Sequence, residues 1–74
     1  MDKKLYLAYL GGKMPDGRWG EEHEIVVVAA SDQEEAKELA KAKWSGIRQG
    51  LHIDCLQEIS ELDGYTVTLK AKNS

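Results

Sequence analysis

LHIDCLQEISELDGY, residues 51–65, carries the pattern on which the fold turns. Successive side chains of a strand point to opposite faces, so Leu51, Ile53 and Cys55 fall on one side and His52, Asp54 and Leu56 on the other. One face is therefore dry and the other mixed. Asp63-Gly64 supplies the positive φ that a tight reversal needs, and beyond it Tyr65, Val67 and Leu69 alternate with Thr66, Thr68 and Lys70. The two runs predict strands over 51–58 and 64–70 joined as a hairpin.

Upstream, the short apolar run LYLAYL ends at Gly11-Gly12 and predicts a strand over 3–10. Pro15-Asp16-Gly17 then marks a turn inside a long loop, where Trp19 can cap the core edge or meet a ligand. The run EHEIVVVAA predicts a strand over 22–30, its consecutive aliphatics suiting a strand covered on both faces. Ser31 and Glu34 read as a capping box, and acids in the first turn with Lys41 and Lys43 near the end suit the helix dipole. A helix is expected over 32–45, with Ala36, Leu39, Ala40 and Trp44 as its apolar stripe. Lys43 breaks that stripe, either covering apolar surface with its stem or pairing with Asp54 or a bound anion. Gly46 is placed as the left-handed residue after the helix.

These elements make an α+β fold, ββαββ, in which two hairpins form a four-stranded sheet and one helix packs on a single face. Strand orders 2-1-3-4 and 1-2-3-4 both fit the connections. Tyr6, Ala8, Leu10, Val26 and Val28 are expected on the face away from the helix. That is too much apolar surface to leave wet on a small domain, so this face is expected to meet a second copy in a symmetric homodimer.

At 74 residues, 42% hydrophobic and 31% charged, the chain is sized for one globular domain. A single cysteine excludes an internal disulfide and points to a reducing compartment or a bond between chains. Charged residues at the start with no long apolar run after them argue against a signal peptide or membrane span, and the expected location is cytoplasmic. The net charge of −3 gives no global attraction to phosphate backbones, so nucleic acid is a poor partner.

Leu51-His52-Ile53-Asp54, Asp63-Gly64-Tyr65, Leu10-Gly11-Gly12, Glu22-His23-Glu24 with its valine run, and Lys43-Trp44-Ser45-Gly46 together resemble one family, the bacterial domain of unknown function 1543. The resemblance runs from Leu5 to Leu69. It implies an α+β domain, a bacterial source, and relatives that carry two copies in a longer chain. It implies no activity, no cofactor and no catalytic residue.

Function classes follow from where the connections place the side chains. Lys13, Arg18, His23, Trp44, Arg48 and His52 are expected near one basic pole with Asp54 beside them, a speculative site for a small anionic ligand or for acid-base chemistry. Basic residues at a helix C-terminus are also what stability alone selects, and anion sites use the amide end of a helix instead. His23, His52 and Asp54 form the one conceivable metal or acid-base set, but alternation puts the two histidines on opposite sides unless a bulge intervenes, so no metal is assigned. His23 is then expected as a buried structural residue. Cys55, alternating with Ile53, is expected to be buried and unreactive. The favoured reading is a self-associating interaction module, not an enzyme, with any further partner unknown.

Overall fold

The computed structural model describes residues 2–15 and 20–72. Five strands and one helix follow in the order β1 (Lys4–Lys13), β2 (Glu22–Ala30), α1 (Gln33–Ala42), β3 (Ile47–Ile59), β4 (Glu61–Leu62) and β5 (Tyr65–Thr66). The main sheet is antiparallel with order β2-β1-β3, and β4 and β5 form a separate two-stranded ribbon. The architecture is thus α+β with one helix, but the sheet has three strands where four were expected. Asp63 and Gly64 both have positive φ (53° and 84°) and close the ribbon. The predicted tight reversal is present, yet it joins two-residue strands. With Leu62 and Tyr65 both exposed, nothing apolar draws the ribbon onto the sheet.

β1 is central because it pairs on both edges, which selects 2-1-3 over 1-2-3. Its inner face carries Tyr6, Ala8 and Leu10, packed with Val28 and Ala30 of β2 beneath Ala36, Ala40 and Trp44. Four of these eight are alanines, so the helix can lie close on the sheet. Leu10 is the largest side chain sealed from solvent. The helix therefore covers the very face on which Tyr6, Ala8, Leu10, Val26 and Val28 were expected to await a partner. Four of those five are buried and Val26 packs against them half-buried. Alternation divides a strand into two faces but does not say which one the helix takes.

The open face is the other one. Leu5 and Leu7 are half-buried there, Tyr9 is exposed, and Ile25 and Val27 of β2 keep 64% and 49% of their surface. β2 was expected to be covered on both sides, and here only one side is. Lys43, which directly follows the helix, donates from Nζ to the Val27 carbonyl at 2.7 Å, not to Asp54.

The helix begins one residue later than the capping box suggested. Asp32 is the cap, accepting from the Glu35 amide at 2.8 Å, while Glu35 Oε1 reaches back to the Ser31 amide at 2.7 Å and hydroxyl at 2.9 Å. Lys3 Nζ adds contacts of 2.9 and 3.1 Å to the two Glu35 oxygens, tying the start of β1 to the helix. The Ser31 amide first, then Lys3, hold the Glu35 carboxyl down from its ordinary 4.5 to about 2. A lowered folded pKa contributes stability above 4.5 that is lost as pH falls towards 2. Glu35→Gln should accordingly lower the urea midpoint at pH 7, with the gap to wild type closing as the titration moves from about pH 5 to about pH 2. An equal gap at both ends would remove this role from Glu35.

Gly46 is not left-handed; among the described residues the positive-φ glycines are Gly20, Gly50 and Gly64. Gly46 is required for space instead, because a Cβ there would fall on the Lys13 carbonyl oxygen and within 2.7 Å of the Trp44 indole nitrogen. Among the described residues no helix is long and apolar enough to cross a membrane.

Candidate functional site

On the open face the pairing of β1 with β3 slips by one residue: Tyr9 faces Cys55 but Leu10 faces Ile53, leaving Asp54 without a partner. Such a bulge reverses alternation beyond it. Ile53 and Leu56 now both pack on the core, Cys55 is exposed where it was expected buried, and Asp54 stays on the side of His52, as alternation placed it. His52 pairs with Gly11, which pairs on its other edge with His23. The two histidines, expected on opposite sides, therefore flank one glycine on one face. His23 is exposed, not buried, and its ring stacks on Tyr9 at 5.1 Å and 7°.

Gly11 makes that meeting possible. A Cβ there would lie 2.8 Å from His52 Nε2 and 3.1 Å from His23 Cδ2. Gly12 does the same on the opposite face, where a Cβ would lie 2.9 Å from the Trp44 ring. The pair lies within β1, not at its end, and clears one ring system on each side of the central strand.

Glu21 and Asp54 complete a cluster in which imidazoles and carboxylates alternate. His52 Nε2 lies 3.2 Å from Asp54 Oδ1 and 3.5 Å from Glu21 Oε1. His23 Nε2 lies 3.7 Å from Asp54 Oδ2 and 3.6 Å from Glu21 Oε2. The far nitrogen of His52, Nδ1, sits 3.0 Å from the Gly50 carbonyl, presented by a left-handed Gly50 (φ 79°). A carbonyl only accepts, so Nδ1 carries the proton in that contact. A neutral ring would then aim a lone pair at two carboxylates. The Gly50 carbonyl, and after it the charges of Asp54 and Glu21, raise the His52 pKa against the opposing effect of burial. Among the described residues no group of three or more histidine, cysteine and acidic side chains is arranged to hold a metal ion.

Of the residues singled out from sequence, His23, His52 and Asp54 come together. Trp44 and Arg48 do not join them. Trp44 is buried in the core with its indole N–H donating to the Ile47 carbonyl at 2.9 Å. Arg48 approaches the Lys41 carbonyl at the helix end at 3.5 Å, Lys13 lies exposed at the end of β1, and Arg18 lies outside the described residues, as does Trp19. A groove of about 460 Å³ between the start of β1, the end of β3 and residues 67–69 contains none of them. Sequence reading missed Glu21, although the spacing Glu21-Glu22-His23 places a carboxylate two residues from the histidine, mirroring His52-Ile53-Asp54 on β3.

A three-stranded sheet with one covered face and a histidine–carboxylate cluster on the other defines a small α+β domain whose class carries no assigned chemistry. Residues 19–69 match the family described as Domain of Unknown Function (DUF1543), and the chain belongs to that family. It is also similar to the crystal structure of the protein Il1583 from Idiomarina loihiensis, at 37% identity and a TM-score of 0.79, over 88% of this chain and 44% of that one. The chain thus spans less than half of that relative. No curated protein matches it.

Proposed function

We propose that this domain works by self-association through its helix-free sheet face, as a cytoplasmic protein-interaction module. The observation that carries the reading is the exposure of Ile25 and Val27 beside Tyr9, above half-buried Leu5 and Leu7. A chain of this size gains about 25 cal/mol for each Å² of apolar surface it removes from water, and here a whole sheet face is left over. The consecutive aliphatics of β2 suit a strand covered on both sides, and the helix supplies only one cover. A second copy is the occupant that fits. Leu5, Leu7, Tyr9, Ile25 and Val27 form an apolar strip over β1 and β2, bordered on β3 by Gln57 opposite Leu7, so like can meet like across a two-fold axis, and the relative from Idiomarina loihiensis has room in its own chain for a second unit of equal length. The exposed Cys55 thiol suits a reducing compartment.

Sedimentation equilibrium at about 100 μM should give twice the 8.3 kDa chain mass. Ile25→Lys combined with Val27→Lys should return it to the monomer mass with an unchanged circular-dichroism spectrum, since both side chains point to solvent in the single chain. A wild-type chain that stays monomeric into the millimolar range defeats the reading.

A further inference from the structure

We propose that pairing through this face is proton-linked, closing when the cluster of Glu21, His23, His52 and Asp54 is protonated and loosening when it is not. The inference rests on the reading above and names what regulates it. Its ground is geometric: the cluster is continuous with the apolar patch. His23 stacks on Tyr9, Ile25 follows His23 by two residues on the same side of β2, and Cys55 pairs with Tyr9. A copy that covers Tyr9 and Ile25 therefore takes water from the cluster.

What the cluster tolerates without water depends on its protons. With both imidazoles neutral the four residues carry two carboxylates and no cation of their own, and His52, its Nδ1 proton committed to the Gly50 carbonyl, presents a lone pair to both. Burying bare carboxylates is costly. With both rings protonated, every Nε2 becomes a donor between two acceptors, and positive and negative groups alternate with no net charge. The groups facing the cluster are Tyr9 and, by alternation, Lys13 from β1, Glu21 and His23 from β2, and Asp54 and Cys55 from β3. The Cys55→Ser background of the test takes the thiol out of the comparison. In the single chain the Gly50 carbonyl, and after it Asp54 and Glu21, already raise the His52 pKa; low pH favours the closed state to the extent that closure raises the proton affinity of the cluster further.

The test is the dimer dissociation constant at about pH 5.5 and about pH 8.5, measured by sedimentation in a Cys55→Ser background. Uptake of one proton per protomer predicts tightening by about tenfold or more towards the acid end. His52→Gln should remove most of that dependence. Glu21→Gln with Asp54→Asn should bind tightly at about pH 8.5 and flatten or reverse the slope, a result that general loss of structure cannot imitate. Equal dimerisation of the parent at both pH values, or an unaltered slope in the carboxamide variant, overturns the proton linkage and leaves the self-association reading standing. A monomer at every pH sinks both.

Discussion

Gly46→Ala is expected to remove more than half of the stability of the domain. The added methyl would fall on the Lys13 carbonyl oxygen and press on the Trp44 indole at 2.7 and 2.9 Å. Overpacking costs about 1–3 kcal/mol where flexible side chains can yield, and more where they cannot. Here the principal obstacle is backbone. Lys13 pairs with Ile47 at the point where β3 starts, so moving its carbonyl parts β3 from the central strand. Small domains are stable by only roughly 5 kcal/mol, so a loss of about 3 kcal/mol or more is a large share. Urea unfolding followed by circular dichroism checks this. A midpoint within experimental scatter of wild type would show that β3 can shift without harm.

Trp44→Ala should destabilise nearly as much, by about 3–5 kcal/mol, the usual cost of emptying a buried aromatic site. Trp44 closes the core at the helix end, is 8% exposed, and rests against two glycines whose missing side chains make its pocket. Its loss leaves a hole lined by the central strand and strips the Ile47 carbonyl of its donor. The two substitutions share the Trp44 ring and should not add. In the Trp44→Ala background Gly46→Ala should cost less than it does alone, yet still destabilise because the Lys13 carbonyl remains. Full additivity would mean that the indole and Gly46 do not compete for space.

The coupling of these sites bears on the open face as well. Gly11 and Gly12 are consecutive on β1 and point to opposite sides, one towards the imidazoles and one towards Trp44. Disturbing the Trp44 side therefore reaches the backbone that spaces His23 and His52. Changes made to the core near Lys13 should be checked for altered proton linkage, not for stability alone.

Strand 22–30, the helix with its acidic first turn, and the Asp63-Gly64 reversal were legible in the chain because each rests on neighbours within a few residues: alternation, a cap, a positive φ. The family was legible too, from motifs spread across the whole length. What no local rule contained was the unpaired Asp54, the side of the sheet taken by the helix, and the detachment of residues 61–66 from the main layer. Those depend on how distant backbone segments pair. One extra residue opposite Tyr9 and Leu10 carried His52 and Asp54 together to the face that holds His23 and took Cys55 from the expected interior to solvent. Sequence determines which stretches become strands and helix, since those energies are local; tertiary pairing alone decides which side chains meet, since a one-residue slip in register redistributes them between two faces at little local cost.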